Sequence, residues 1–598
     1  MRNAEIIFGI IRNRGERKLP LEDVYKQLFN RTLYLRAYSR LYGNNGAMTP
    51  GITSETVDAM SLEKIDMIIE KLRYERYQWT PVRRVMIAKS SKPKKYRPLG
   101  LPTWSDKLVQ EVIRSILEAY YEPQFSYYSH GFRPQRGCHT ALSEVKKRWR
   151  GVKWFIEGDI AQCFDSISHE ILLSILSKSL HDNRFIRLVS NLLKAGYLEE
   201  WKYNITLSGV PQGSIVSPIL SNIYLNELDQ FVQSQLLPTY NQGKRRKRYH
   251  PYDYLISAAQ SKRKTGAYKE AKKLRQKAQQ LPSFDPQDSD FRRLWYVRYA
   301  DDWLLGFIGP RNEALIIKSQ IAEFLLNTLK LKLSLEKTLI TQARVKSARF
   351  LGYEVTTLHS NSKQHPKLHS RTINGQMGLK VPIALIKNKC TKYMRNGKPA
   401  SLTGRINDTD YSIVAKYQAE YRGFVQYYLM AYNVHRLRQL HYIMRYSLAK
   451  TLARKHKTSA RKVIRKYQTT VPTLNGSIKA LEVRHEREGK KPLVVRFGGI
   501  ELRWNKQATL DDKPPKVHNN RTEILERLLR DKCEVCGSSE SCEVHHIRKI
   551  ADLNKPGRRE KPLWVKRMAL RQRKTLVVCK ECHKSIHSGK PIKQKVAE

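Results

Sequence analysis

No apolar run in this chain approaches the roughly 18 residues that a membrane-spanning helix requires. The N-terminal Ile6-Ile7-Phe8-Gly9-Ile10-Ile11 is too short for a signal sequence and stops at Arg12. Acidic residues are scarce: 54 Asp and Glu stand against 111 Lys and Arg, a formal charge of +57. That excess calls for a polyanionic partner, and with no membrane anchor in view the partner is nucleic acid. Binding of this kind releases counterions and depends steeply on salt. Cysteine is thin through most of the chain. Cys138, Cys163 and Cys390 are isolated and read as small buried side chains, whereas the other five of the eight fall between Cys533 and Cys582. Their spacing suits metal ligands in a reducing compartment. The 40% hydrophobic content is enough for ordinary cores, which excludes a disordered chain, and 598 residues suffice for three or four domains.

What is present is organised around Tyr299-Ala300-Asp301-Asp302. Leu294-Trp295-Tyr296-Val297-Arg298 precedes it and Trp303-Leu304-Leu305-Gly306-Phe307 follows. Two apolar, aromatic runs broken by adjacent carboxylates predict a β-hairpin with acids at its turn. By itself this is an ordinary solvated turn. A second acidic strand end changes the reading: Trp154-Phe155-Ile156-Glu157-Gly158-Asp159 closes on Asp159, and the apolar helix-like stretch Ile171 to Leu176 follows. Carboxylates gathered this way suit two Mg²⁺ ions, which take hard oxygen ligands and leave room for substrate phosphates. Two such ions stabilise the attacking and leaving oxygens of an in-line phosphoryl transfer. The pattern implies a palm-type polymerase.

Eight motifs in order then resemble the reverse transcriptases encoded by group II introns, of the mitochondrial-like lineage. They are Gly43-Asn44-Asn45-Gly46 with Pro50-Gly51-Ile52; Arg97-Pro98-Leu99-Gly100-Leu101-Pro102-Thr103; His130-Gly131-Phe132-Arg133-Pro134; and Glu157-Gly158-Asp159-Ile160. Gly209-Val210-Pro211-Gln212-Gly213, the Tyr299 tetrad, Leu335-Glu336-Lys337-Thr338 and Phe350-Leu351-Gly352-Tyr353 complete the series. The resemblance implies that Asp159 and Asp301 bind metal directly, with Asp302 in support. Arg97 is placed to meet the triphosphate, and Lys337 resembles a lysine near it, although a surface lysine reads the same way. Phe164 stands where the superfamily puts an aromatic wall that excludes a 2′-hydroxyl; a core Phe is the alternative. Gln212 is expected near the incoming nucleotide and template.

Two further stretches carry one sign of charge. Lys244 to Ala278 has thirteen Lys or Arg and two acids, Asp253 and Glu270, and reads as an RNA-facing basic insertion or a flexible charged excursion. Arg436 to Lys466 has eleven Lys or Arg and no acid, interleaved with Leu437, Leu440, Ile443, Met444 and Leu448. It predicts a helix pair with an apolar underside and a cationic face, at the position of the thumb and maturase domain X. Arg454, Lys455 and Lys457 are its candidate RNA contacts. Just before it, Tyr417, Tyr421, Phe424 and Tyr428 recur at helical spacing and are expected to be core.

At the C-terminus, Cys533-x-x-Cys536 and Cys579-x-x-Cys582 form two thiolate pairs, a strong signal for a closed tetrahedral Zn²⁺ site. Cys542 is left over. Glu543-Val544-His545-His546 and Cys582-His583-Lys584-Ser585-Ile586-His587 lie within and after the knuckles. They resemble the ββα-metal nucleases of the HNH class. That resemblance implies Mg²⁺ on His545, His583 and His587, with His546 as general base. Lys574 occupies the place of the usual asparagine, for which Asn554 could substitute. A DNA-binding zinc finger without chemistry is the alternative.

The expected fold is multidomain α+β. It comprises an N-terminal extension with fingers (1–95), fingers and palm with an antiparallel palm sheet (96–360, basic insertion 235–290), and an α-helical thumb or domain X (375–475). A small DNA-binding region with linker (476–527) and an HNH module with a four-cysteine zinc site (528–592) follow. The expected function is RNA-dependent DNA polymerase, maturase and DNA endonuclease in intron retrohoming. Its partners are intron RNA, double-stranded target DNA and deoxynucleoside triphosphates, with no membrane and with a homodimer left open. A bacterial cytoplasm suits the missing transit peptide, as does an organelle that encodes the protein. A splicing factor without chemistry, or a retron-type reverse transcriptase, are the rivals. Intact carboxylates and histidines count against the first, and domain X with a terminal HNH module against the second.

Overall fold

A computed structural model describes residues 3–44, 46–89, 92–199, 202–204, 209, 213–334, 336–360, 363, 371–487, 490–505, 507–508, 523–554, 561–571 and 573–590. Its centre is a four-stranded antiparallel sheet in the order Arg293–Tyr299, Asp302–Ile308, Trp154–Asp159, Ile340–Gln342. Side chains along a strand alternate between faces, and here the alternation separates two cores. Ile156, Tyr296, Leu305 and Phe307 face one, while Phe155, Val297 and Leu304 face the other. Both sides are buried, which explains why these strands read as nearly continuous apolar runs.

The first core is closed by Trp104–Tyr121 and Ser217–Phe231. Thr103 starts the former helix by accepting from the Asp106 backbone N–H, an N-cap that satisfies one of the orphan donors of the first turn. Against this body packs a second four-stranded sheet, Lys92–Leu101, Val82–Lys89, Tyr197–Glu199 and Lys202–Asn204. The same core continues into the C-terminal residues Ile524, Val544, Val578 and Ile586. The link is a short strand, Met60–Ser61, which adds to Cys542–His546 and Thr575–Cys579 as one three-stranded sheet.

The second core is built on Cys138–Arg148, Asp410–Tyr427 and Arg438–Lys455. Tyr417, Tyr421 and Tyr428 are buried in it as the helical spacing predicts, and Phe424 packs at its margin. Leu437, Leu440, Ile443, Met444 and Leu448 form the apolar underside of the basic helix pair Arg438–Lys455 and Ala460–Tyr467. The antiparallel sheet Gln468–Thr473, Gly476–Arg487, Lys490–Gly498 seals the same core through Leu481, Val483 and Phe497. The boundary expected at 475 therefore falls at the tip of a β-hairpin whose strands pack on the helices. Hydrophobic burial does not stop there, because the strand faces are apolar on one side only. The basic insertion forms two antiparallel helices, His250–Lys264 and Tyr268–Gln280. They bury only Ala259, Ala271 and Ala278, so their cations remain in solvent.

Candidate active sites

Asp159 ends its strand directly opposite Asp302, in register across the central sheet. The two carboxyls stand close enough for the charge of one to act on the other, and such crowding of like charges favours a proton or a cation between them. Burial first, and then the charges of Asp301 and Asp159, push Asp302 up to about 7. Burial also raises Asp301, with Asp159 adding to the effect and Lys337 and Arg97 opposing it. Lys337 donates to Asp159 Oδ2 at 2.5 Å from a side chain that is 66% exposed. Arg97 lies exposed on the strand Lys92–Leu101, close enough for its charge to act on Asp301. The donor set is all oxygen and half-buried, which fits hard divalent cations.

The turn that presents Asp301 is held from below. Tyr299 pairs with Asp302 around a two-residue loop, and Ala300 has φ +55°. A positive φ at the first loop residue is the II′ arrangement, where glycine is the usual occupant; an alanine there stores about 1 kcal/mol. Arg298 Nη1 donates to the Ala300 carbonyl at 2.8 Å and so secures the strained residue. The same guanidinium meets Asp229 at 2.5 and 2.8 Å and Ser129 Oγ at 3.0 Å. Gly131 lies against the turn so closely that a Cβ would come within 2.3 Å of the Ala300 nitrogen. A Cβ on Gly158 would fall 2.0 Å from the Trp303 ring. These approaches are the physical content of two of the glycine-containing motifs.

Phe164 is half-buried on the short helix Cys163–Ser166. Its ring meets the exposed Phe132 edge to face, 6.3 Å between centroids, so it stands at the open side of the sheet. Gln212 lies outside the described residues. Among the candidate RNA contacts, Arg454 and Lys457 are exposed. Lys455 is not free: it pairs with Asp410 at 2.8 Å and donates to the Asp408 carbonyl at 2.7 Å.

In the C-terminal module the four sulfurs of Cys533, Cys536, Cys579 and Cys582 gather within 4.8 Å of one another. The 3.7 Å between Cys536 and Cys579 sulfurs matches the edge of a tetrahedron of about 3.8 Å set by Zn–S bonds of about 2.3 Å. Backbone N–H groups of Val535 and Cys536 donate to Cys533. Cys542 stands apart, its thiol donating to the Ser538 carbonyl.

A second cluster brings together His545, His583 and His587. His583 Nε2 is 3.1 Å from both His545 Nδ1 and His587 Nε2. Glu543 holds the other face of His583 at 2.5 Å, the carboxylate–imidazole orientation usual for a metal ligand. Burial works to lower the His583 imidazole, but the hydrogen bonds it donates to Asp58 and Glu543 outweigh it and raise it to about 9. His546 points the other way. It is 5% exposed, its Nε2 is 3.0 Å from the Tyr38 hydroxyl, and burial lowers it to about 3, so it is neutral at physiological pH. Lys574 contributes its carbonyl to the Ile547 N–H, and the side chain of Asn554 lies outside the described ones.

Sequence reasoning passed over Arg298, Asp229, Tyr38 and Asp58. Arg298 had a readable signal, a cation in the middle of an apolar strand, which must be paired if buried. Asp58 had none, because its partners lie as far as 529 positions away.

An oxygen-ligand site on an antiparallel sheet, joined to a basic helical domain and a module of four thiolates and three imidazoles, defines a nucleic acid polymerase with an appended metal nuclease. The family model of "Reverse transcriptase (RNA-dependent DNA polymerase)" matches residues 87–355, that of "Type II intron maturase" residues 374–500, and that of "AI2M/AI1M-like, HNH endonuclease" residues 533–583. The chain is 37% identical to the group II intron-encoded protein LtrA of Lactococcus lactis subsp. cremoris, over 94% of this chain and 95% of that one. It is 35% identical to an uncharacterized 91 kDa protein in the cob intron of Schizosaccharomyces pombe, over 95% of this chain and 70% of the relative. A putative COX1/OXI3 intron 1 protein of Saccharomyces cerevisiae is 33% identical, over 94% and 68%. The chain belongs to the group II intron-encoded proteins. It combines an RNA-directed DNA polymerase, a maturase and an HNH endonuclease. Among the described residues no helix is long and apolar enough to cross a membrane.

Proposed function

We propose that the polymerase, maturase and nuclease of this chain act in sequence on one intron, in target-primed reverse transcription. The observation that carries this reading is the pairing of Asp159 with Asp302 beside Asp301 at the ends of the two inner strands of the central sheet, with Lys337 and Arg97 close by. Asp159 and Asp301 are the direct ligands for Mg²⁺ and Asp302 is the supporting carboxylate. Bound there, two such ions would stabilise the attacking 3′-oxygen and the leaving pyrophosphate oxygen. Arg97 and Lys337 orient the triphosphate by charge, Phe164 excludes a 2′-hydroxyl by bulk, and Gln212, outside the described residues, is assigned to the nascent pair by its motif alone. The central sheet is the palm, Val82–Leu101 the fingers hairpin, and the helices from Asp410 to Tyr467 the thumb.

Intron RNA is bound by cationic surfaces set apart from the carboxylates: the exposed helices His250–Lys264 and Tyr268–Gln280, and the face carrying Arg454 and Lys457. Lys455 supports that face from within through Asp410. In the nuclease, the four thiolates hold structural Zn²⁺. His545, His583 and His587 hold Mg²⁺, and His546 is assigned as general base by its place in the motif; buried against the Tyr38 hydroxyl, it must turn from that partner before it can take a proton from water. The nick supplies the 3′-end that the polymerase extends.

The test is a reconstituted ribonucleoprotein given double-stranded target DNA. Asp301→Asn should nick without making cDNA, and His546→Ala should make cDNA only from a pre-nicked target. If both variants lose both steps, the division of labour is wrong.

A further inference from the structure

The histidine cluster is incomplete within its own module. Asp58, from the N-terminal part of the chain, reaches into it. Asp58 Oδ1 lies 3.3 Å from His583 Nε2 and 3.5 Å from His545 Nδ1, and Oδ2 lies 2.9 Å from His587 Nε2. These are the same three nitrogens that face one another. Four ligand atoms, one from each residue, therefore converge within 4.8 Å. Bonds of about 2.1 Å at right angles separate neighbouring ligands by about 3.0 Å, and the spacings from 2.9 to 3.5 Å are of that size.

The carboxylate is also built in from behind. The backbone N–H of His546 donates to Asp58 Oδ1 at 2.7 Å, across 488 positions of chain. Ala59 follows with φ +60° and donates to the Val544 carbonyl. Met60 and Ser61 then pair in register with Val544 and Glu543. Farther along, Glu63 takes Lys580 at 2.6 Å and Ser541 at 2.8 Å. An incidental surface acid would not come with a strand, a backbone donor and a flanking ion pair that together fix its direction.

We propose that Asp58 is the fourth protein ligand of the divalent ion held by His545, His583 and His587. The nuclease centre is thus assembled from two distant segments, and the ion ties the C-terminal module to the N-terminal one. This rests on the three-histidine site of the preceding section. An anionic oxygen offsets part of the ion's charge beside neutral imidazoles, and four protein ligands leave two positions of an octahedral shell for phosphate and water. Tyr38 adds to the same contact from the helix Arg31–Leu41, on the far face of His546.

The probe is Mn²⁺, which imidazole and carboxylate ligands both accept, titrated into the full zinc-loaded chain and followed by electron paramagnetic resonance. Asp159→Asn with Asp301→Asn forms the background, so that the polymerase carboxylates do not compete. Asp58→Asn keeps the shape and the acceptor for the His546 N–H, and should weaken Mn²⁺ binding by about 10- to 100-fold, the scale seen when a metal-site partner is lost. Hydrogen exchange gives the second readout. Mn²⁺ should slow exchange at Ala59–Ser61 and Cys542–His546 in the Asp58 protein and leave it unchanged in Asp58→Asn. Asp58→Ala with normal zinc content should match Asp58→Asn. If His583→Ala abolishes Mn²⁺ binding while both Asp58 variants bind as the parent does, the histidine site stands and the Asp58 inference falls. If His583→Ala binds normally, the histidine site itself is wrong and the inference falls with it.

Discussion

Arg298 and Asp229 form an ion pair with no solvent exposure on either side chain, directly beneath the turn that carries Asp301. One arm of the guanidinium neutralises Asp229 while another donates to the Ala300 carbonyl. Asn222 connects the same group to the Gly131 carbonyl. The turn that carries Asp301 is therefore positioned by charge buried behind it as well as by its own hydrogen bonds.

Asp229→Ala leaves Arg298 charged and unpaired. Breaking such a pair costs about 3–5 kcal/mol, to be read as a lowered urea midpoint. Arg298→Met with Asp229→Leu should recover most of that stability, because two apolar side chains need no partner. Primer extension should stay impaired in the double variant, since the Ala300 carbonyl loses its donor. Full activity in the double variant would show that the turn does not depend on Arg298.

Asp301→Asn removes one charge from the carboxylate group, and cDNA synthesis on a primed RNA template should fall by orders of magnitude. Splicing assistance at low Mg²⁺ should persist if RNA is held by the proposed cationic surfaces and not by the carboxylates. Extension near the parental rate would place the active site somewhere else.

Asp302 makes stability depend on pH. Its carboxyl is raised to about 7 against an ordinary value of about 4, so the folded protein holds that proton more tightly than the unfolded chain. The folded state thus loses stability as pH rises from about 4 through about 7, and the loss levels off above that. In the absence of divalent ions, Asp302→Asn should be more stable than the parent at about pH 8 and lose that advantage by about pH 4. Parallel melting temperatures for the two proteins across that range would contradict the assignment.

Phe164→Ala opens the space beside Phe132 and should raise ribonucleotide incorporation relative to deoxynucleotide. An unchanged ratio in single-nucleotide extension would mean that Phe164 does not face the sugar.

Charge reversal on the thumb should target Arg454→Glu and Lys457→Glu and leave Lys455 alone, since Lys455 stabilises the fold through Asp410. The double variant should bind intron RNA more weakly and with a shallower salt dependence, while its melting temperature holds. Unaltered affinity in filter binding would remove this face from the RNA interface.

Much of the polymerase was legible because its signals are local. A two-residue turn between alternating apolar strands specifies the Tyr299 hairpin, and the five apolar residues under the basic helices specify which face of Arg438–Lys455 is buried. The paired Cys-x-x-Cys spacings specify a tetrathiolate because the loop geometry lies within a few residues. Nothing in a short stretch of sequence says whether the hairpin that spans 475 packs on the preceding helices or on something else.

Residue type and short-range spacing were enough to specify the class of chemistry: carboxylates at strand ends, thiolates and imidazoles at fixed intervals, and a cationic excess that demands nucleic acid. Which carboxylate touches which was settled by the packed chain alone. So were the commitment of Lys455 to Asp410, the support that Arg298 and Asp229 give the active turn, and the approach of Asp58 and Tyr38 to the nuclease histidines. Those relationships depend on packing between segments far apart in the chain, where burial makes an unpaired charge too costly to leave alone. Periodicity along a single strand or helix carries no record of them.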